Sequence, residues 1–123
     1  MHEGVETYAQ TAKITKSPRD LEGSLLLKAA SQLQQLKDNW AGSADRNQLD
    51  AALYYNRRLW TVFVTSVARE ENPLPLEIKN NIASLGAFIF HQTLMVQKDP
   101  APEKLTTLIN INREIAAGLH GSV

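Results

Sequence analysis

The feature of this sequence that most restricts its fold is an apolar repeat with helical spacing in every long segment. Apolar side chains recur at intervals of three and four residues, and no stretch shows the two-residue alternation of a half-buried strand. Proline-containing breaks with the sequences KSPRD, ENPLP and DPAPE separate the segments. Because short breaks between long helices favour antiparallel neighbours, the sequence predicts an all-α fold, a compact bundle of four to five helices forming one domain over residues 1–123.

Helix boundaries follow from the breaks and from residues with capping preferences. A thin apolar stripe predicts a short N-terminal helix within residues 1–16, at about 3–14, that is too weakly amphipathic to be stable alone. Ser17 suits an N-cap, Pro18 suits the first helical position, and Asp20 lies near the positive end of the helix that follows. The longer helices are predicted at 18–39, 45–69, 75–98 and from Pro102 to about Leu119.

Charge and cysteine content exclude several classes of protein. Thirteen basic residues balance thirteen acidic ones, so the whole chain has no electrostatic attraction to nucleic acid or anionic membrane, although a local patch could still exist. The absence of cysteine excludes disulfides, thiolate catalysis and cysteine metal sites. The N-terminus has neither a basic start nor an apolar run, so we expect no signal peptide. The longest apolar stretch, IASLGAFIFHQTLMV, has 15 residues, fewer than the roughly 20 that a membrane span needs. We therefore expect no membrane insertion and a cytoplasmic protein.

No pattern in the sequence indicates catalysis. The three histidines, His2, His91 and His120, are scattered and have no acidic neighbour at metal-binding spacing. The glycines lie apart, so no phosphate-binding loop is predicted, and no nucleophile and base are paired by spacing. The sequence predicts neither an enzyme nor a cofactor.

Two asparagines occupy positions where the helical repeat predicts apolar core residues. Asn56 falls within the stripe Leu49, Leu53, Asn56, Trp60, Phe63 and Val67. Asn112 holds a similar place in the last helix, and Arg57 and Arg113 lie on the flanks of the two stripes. A buried amide needs hydrogen-bond partners. Either the asparagines bond backbone or side-chain groups in the core, including each other, and fix helix register, or they line a groove and bind a partner's backbone.

The helix at 75–98 is apolar on more than one side. One face comprises Ile78, Ile82, Leu85, Ile89 and Val96, and a second comprises Ala83, Ala87, Phe90 and Leu94. Gly86 would permit close approach of another helix, at a helix-propensity cost of about 1 kcal/mol. A helix of this kind either lies at the centre of its bundle or has one face covered by a partner. Both alternatives are compatible with the sequence.

Four motifs, in order, resemble the FlaF family of flagellar biosynthesis regulators, which is found in alphaproteobacteria. SPRDLEGSLL resembles the family's N-terminal segment, and ALYYNRRLWTVF is similar to its central Asn-Arg-Arg-Leu-Trp signature. NPLPLEIKNNIASLGAF resembles its Leu-Pro linker with the helix after it, and LININREIAAGL is similar to its closing motif. The motifs extend over roughly residues 17–119. Each is weak alone, and the four together are fairly specific.

The resemblance implies a small helical protein needed for flagellin production and export. Family members are described as working beside a second protein, FlbT, which acts on flagellin mRNA, and they resemble flagellin-specific chaperones of the flagellar type III secretion system. Flagellin has amphipathic terminal helices that are unpaired before filament assembly, and a helical groove could cover one of them. The alternatives are a post-transcriptional regulator that touches the mRNA, with direct nucleic-acid binding disfavoured by the charge, and a homodimer. The candidate partner-binding residues are Asn56, Arg57, Trp60, Phe90, Leu94, Asn112 and Arg113.

Overall fold

The computed structural model describes residues 17–40 and 46–121, which form four α-helices and one short 3-10 helix. The α-helices are α1 (Pro18–Asp38), α2 (Arg46–Val67), α3 (Leu76–Lys98) and α4 (Thr106–His120). No residue within the described ranges is in a strand, so the predicted all-α fold is confirmed. The helix predicted at 3–14 lies outside those ranges.

The predicted helix boundaries are close to the observed ones except at the last helix. Helices α1, α2 and α3 begin and end within two residues of the predicted positions. The last helix was expected to start at Pro102, but the chain forms a 3-10 helix at Pro102–Leu105 and becomes α-helical only at Thr106. Such tight turns are common at the N-termini of α-helices. Leu105 has no exposed surface, so this turn is anchored in the core.

Side-chain bonds at the helix ends show which helices run antiparallel. Nδ1 of His120, at the end of α4, lies 3.2 Å from Oδ1 of Asp20 near the start of α1. Nη2 of Arg46, at the start of α2, donates to the carbonyl oxygen of Gln97 near the end of α3, at 2.6 Å. Helix α1 packs against α2 and α4, α2 packs against α3, and α3 meets α4 only sparsely. The bundle is therefore closed around α1 and open between α3 and α4.

One hydrophobic cluster joins the four helices. Its largest fully buried side chain is Trp60, whose ring meets Phe63 edge-on with the ring centroids 5.6 Å apart. An aromatic pair of this geometry contributes about 0.5–1.5 kcal/mol beyond the burial of its area. Further members with no exposed surface are Leu33, Leu53, Ile89, Val96 and Leu108. The inward side of the middle of α2 is thus held by apolar contacts with the other helices.

Two glycines mark the places where helices approach most closely. A Cβ atom built on Gly86 of α3 would lie 2.4 Å from Cγ2 of Val64 on α2. A Cβ atom on Gly23 of α1 would lie 2.6 Å from Nε2 of His120. Both distances are too short for a real carbon contact, so the absence of a side chain is what lets α3 reach α2 and His120 reach α1. The close approach predicted at Gly86 is confirmed.

The first turn of α1 is capped as the sequence predicts. The carboxylate of Asp20 in the same turn makes the stability of the folded chain depend on pH in the acid range. Oγ of Ser17 accepts a bond from the backbone N–H of Asp20 at 3.1 Å, and Pro18 occupies the first turn. The Asp20 carboxylate accepts bonds from His120 and from Ser17, and these lower its pKa below the ordinary value of 3.8. The folded chain therefore favours the charged carboxylate.

Because the pKa of Asp20 is lower in the folded chain, its contribution to stability is full above about pH 4 and disappears as the pH falls through the folded value. We expect the denaturation midpoint of the unmodified protein to exceed that of Asp20→Asn at pH 7. The difference should shrink progressively below about pH 4. Urea titrations of both proteins between pH 2.5 and pH 7, followed by circular dichroism, measure it. A difference independent of pH would contradict this assignment.

Candidate functional site

Three side chains form a hydrogen-bonded polar network in the centre of the core. Nε1 of Trp60 donates to Oδ1 of Asn112 at 2.9 Å. Nδ2 of Asn112 donates to Oδ1 of Asn56 at 2.7 Å and to the carbonyl oxygen of Leu26 at 3.2 Å. None of the three side chains has exposed surface. The network therefore joins α1, α2 and α4 by bonds that solvent does not weaken.

The chemistry of these partners fixes the orientation of the Asn112 amide. An indole N–H can only donate, so the Asn112 atom that faces Trp60 must be the oxygen. The Leu26 carbonyl can only accept, so the Asn112 nitrogen must face α1. Asn56 then presents its oxygen to Asn112, and its own Nδ2 is buried without a hydrogen-bond partner. A buried donor in this condition costs about 1–3 kcal/mol, so the two asparagines differ in energetic role.

The hypothesis that the asparagines are bonded within the core, to each other among other groups, is confirmed. The alternative, that they line a groove for a partner's backbone, is wrong because neither has exposed surface. Trp60 is also fully buried. Asn56, Trp60 and Asn112 therefore cannot contact a partner while the bundle is intact. Their role in this structure is to hold α1, α2 and α4 together in one register.

A surface feature lies on α3. We call it the outer apolar face and define it as Leu76, Ala83, Ala87, Phe90 and Leu94, which share one side of the helix by their spacing. Leu76 is 72% exposed and Leu94 is 60% exposed. Phe90 is half-buried and packs against the edge of the core, while both alanines are exposed. The face is therefore continuous with the core along one edge and open to solvent elsewhere.

The opposite side of α3 is the one that enters the core. Ile82, Ile89 and Val96 are almost or completely buried there. The interpretation of α3 as a central helix is wrong, because α2 is its main neighbour and α4 closes on α1 instead. For the same reason Ile78, which shares a face with Ile82 and Ile89 by spacing, is 43% exposed beside the gap between α3 and α4. Among the helices of residues 17–40 and 46–121, none packs over the second apolar side of α3, where Phe90 alone reaches the edge of the core.

Helix α2 extends this surface. Val64 meets α3 at Gly86 and helps line a groove of about 370 Å³ that also includes Leu76 and Ala83. Arg57 precedes Val64 by seven residues, so it lies on the same side of α2. It is exposed and is held over the ring of Tyr54, with the guanidinium carbon 5.6 Å from the ring centroid.

The structure groups some of the predicted surface residues and separates one. Arg57, Phe90 and Leu94 lie on the α2–α3 side of the bundle. Arg113 is exposed on α4, which packs mainly against α1. Two members of the α2–α3 surface were missed from the sequence, Leu76 and Tyr54. Spacing could have found both, because Leu76 lies seven residues before Ala83 and Tyr54 lies three before Arg57.

The gap between α3 and α4 was also not predicted. It is a small groove of about 130 Å³ lined by Ile78, Ile82, Ile115 and Leu119, with Arg19 and Glu114 among its other lining residues.

On the far side of the bundle, a second small groove between α1 and α2 is bordered by Val62 and Glu22. Burial raises the pKa of the Glu22 carboxyl, and the nearby positive charge of Arg19 partly offsets the effect.

A search of residues 17–40 and 46–121 for three or more His, Asp or Glu side chains positioned to hold a metal ion finds none. In the same part of the chain, no helix has the length and apolar character that crossing a membrane requires.

Comparison with known proteins gives one match. The model of the family described as flagellar protein FlaF matches residues 5–119, which is nearly the whole chain. No curated protein and no solved structure is similar enough to count as a match. The family match contains the four sequence motifs, the buried Asn56–Asn112 pair and the whole outer apolar face of α3. The chain belongs to the FlaF family of flagellar proteins.

Proposed function

We propose that this protein binds flagellin in the cytoplasm and acts as a secretion chaperone or adaptor that supports flagellin synthesis and export during flagellum assembly. Membership of a flagellar family supports a role in flagellar biosynthesis. The observation that carries the finer proposal is the outer apolar face of α3. Exposed apolar side chains grouped on one side of a helix and rimmed by polar residues, here Lys79 and Asn80, are typical of an interaction site.

The shape of the face suits an amphipathic helix. The two alanines in its middle leave room for another helix to approach closely. Larger side chains lie at the two ends, Leu76 at one and Phe90 and Leu94 at the other. A partner helix lying along this face would bury its apolar stripe against these side chains. Such binding would cover aggregation-prone surface on flagellin until export. FlbT would then act beside this protein rather than through its apolar face.

Helix α3 is held in place before any partner arrives. At one end Nζ of Lys79 donates to the carbonyl oxygen of Arg69 at 3.0 Å. At the other end Arg46 bonds the carbonyl of Gln97. In between, Gly86 lies against Val64. A face fixed in this way loses little conformational entropy on binding, which favours affinity.

Leu94→Gln should weaken the binding of monomeric flagellin about tenfold, equivalent to about 1.4 kcal/mol. Leu94 is 60% exposed, so its replacement removes apolar contact area without opening the core. The matched control is Val62→Gln, because Val62 is 62% exposed and lies beside the α1–α2 groove on the other side of α2. Val62→Gln should bind flagellin as the unmodified protein does. Isothermal titration calorimetry at two temperatures and two salt concentrations measures both, and a negative heat-capacity change is expected for apolar burial.

Equal affinity of flagellin for Leu94→Gln and the unmodified protein would remove the α3 face from the proposal. A double Phe90→Ser/Leu94→Gln variant that still folds gives a stronger version of the same test. If flagellin does not bind the unmodified protein at all, the chaperone proposal fails. Titration with FlbT and with flagellin mRNA at increasing salt would then test the regulator alternative, since direct RNA binding weakens steeply as salt rises.

A further inference from the structure

The zero net charge of the chain conceals an uneven distribution. All thirteen acidic residues lie outside two stretches, 51–69 in and after α2 and 78–98 in α3. These stretches contain five basic residues: Arg57, Arg58, Arg69, Lys79 and Lys98. Because α2 and α3 are packed antiparallel, the two acid-free stretches lie side by side. One side of the bundle is therefore basic, and its compensating carboxylates lie at its ends and on other elements.

The basic residues border the outer apolar face. Arg69 and Lys79 line the groove at one end of it together with Leu76, Ala83 and one carboxylate, that of Glu70. Arg57 lies on the side of α2 that adjoins α3, and Lys98 is exposed at the far end of α3. An apolar stripe flanked by cations attracts a surface in which an apolar stripe is flanked by carboxylates.

We propose that the partner segment received by the α2–α3 side is an acidic amphipathic α-helix. The proposal rests on the proposed function and specifies which kind of flagellin segment would bind. From Leu76 to Leu94 the face is about 27 Å long at 1.5 Å per residue, which corresponds to a partner helix of about five turns. Apolar contacts with the face supply burial, and the carboxylates of the partner lie against the cations on either side.

Two other occupants fit this surface less well. A second copy of the chain would bring the same five basic residues to both sides of the interface, and this excess of positive charge disfavours it. A nucleic acid would neutralise the cations but would leave the apolar stripe of Leu76, Ala83, Ala87 and Leu94 without apolar contact. Single-stranded nucleic acids stack their bases on aromatic rings. The stripe has one aromatic residue, the half-buried Phe90, and the exposed ring of Tyr54 beside it on α2 already lies under the guanidinium of Arg57.

The test uses two fluorescent peptides of about 20 residues with the same Leu/Ala stripe and either glutamate or lysine on both flanks. Fluorescence anisotropy against the full chain should show at least tenfold tighter binding of the glutamate peptide at low salt. The preference should shrink at high salt, where screening is stronger. Arg57→Glu/Arg58→Glu should reverse or abolish the preference. The control Lys28→Glu/Lys37→Glu makes the same change of net charge on α1 and should retain it.

Equal binding of the two peptides, or an unchanged preference in Arg57→Glu/Arg58→Glu, would overturn the proposal. A short poly-uridine RNA that binds more tightly than the glutamate peptide and displaces it would assign the surface to nucleic acid. That result would also overturn the proposal. A dimer seen by sedimentation, with no peptide binding, would assign the face to a second copy. Flagellin titrated against the same variants separates the two proposals. If flagellin binds Arg57→Glu/Arg58→Glu as tightly as the unmodified protein, only the acidic-helix proposal is refuted. If the glutamate peptide is preferred but flagellin does not bind, only the chaperone function is refuted.

Discussion

Asn112→Leu is expected to lower the free energy of unfolding by about 3–5 kcal/mol. The two side chains have the same number of heavy atoms and the same branching, so the loss comes from hydrogen bonding rather than from a cavity. The substitution leaves the indole N–H of Trp60 and the amide oxygen of Asn56 buried without partners. Each abandoned polar group costs about 1–3 kcal/mol. Guanidinium unfolding followed by tryptophan fluorescence and circular dichroism measures the change.

Asn56→Leu is the matched comparison for Asn112→Leu. The same chemical change, made at the other asparagine of the pair, should alter the free energy of unfolding much less. It removes the oxygen that Asn112 donates to, but Asn112 keeps its bond to the Leu26 carbonyl. It also removes the one amide nitrogen that has no partner. We therefore expect a change within about 1 kcal/mol of the unmodified protein. Equal destabilisation by the two substitutions would show that Asn56 and Asn112 contribute equally to the stability of the network.

Gly86→Ala is expected to destabilise the bundle by about 2 kcal/mol, although alanine is the better helix former. The new methyl would lie 2.4 Å from Cγ2 of Val64, a β-branched side chain with little freedom to turn away. Helices α2 and α3 must therefore separate. The resulting loss of packing around Trp60 should exceed the gain of about 1 kcal/mol in helix propensity. Thermal and urea unfolding measure the net effect.

Two further variants make the Gly86 result specific. Gly118→Ala in α4 has no atom within 4 Å of the new methyl, so it should stabilise the protein by up to about 1 kcal/mol. Val64→Ala removes the atom that Gly86→Ala meets, so the double variant should be more stable than the sum of the single effects predicts. Destabilisation by Gly118→Ala, or strict additivity of the Val64 and Gly86 changes, would argue against close contact as the cause.

The helices themselves were predictable because their signals are local. Ser17, Pro18 and Asp20 determine the start of α1 through bonds and dihedral angles within one turn. The 3.6-residue repeat placed Leu49, Leu53 and Trp60 on one stripe of α2, and the structure buries all three. The error at the last helix arises instead from a contact between residues that are distant in sequence. Whether Pro102 opens an α-helix or a 3-10 turn depends on how Leu105 is drawn into the core from a distant part of the chain.

The candidate site was only partly predictable, because spacing within a helix does not reveal which neighbour covers it. The repeat placed Asn56 and Asn112 on apolar stripes, but it could not distinguish a groove from a core. The structure decides this by pairing residues 56 positions apart in the chain. The charge asymmetry of α2 and α3 could have been found by counting charges segment by segment. Its meaning still required the knowledge that these helices lie side by side.

By itself the sequence determined the four described helices, the cap at the start of α1, the all-α class and the apolar and polar residues on each side of those helices. Those properties come from interactions within about one turn of the chain. Only the tertiary structure decided that α4 closes on α1, so that no other described helix packs over the outer apolar face of α3. That choice depends on contacts such as Gly86 with Val64 and Gly23 with His120, which join residues far apart in sequence. An apolar stripe has the same pattern of residues whether another helix of the chain covers it or a partner does.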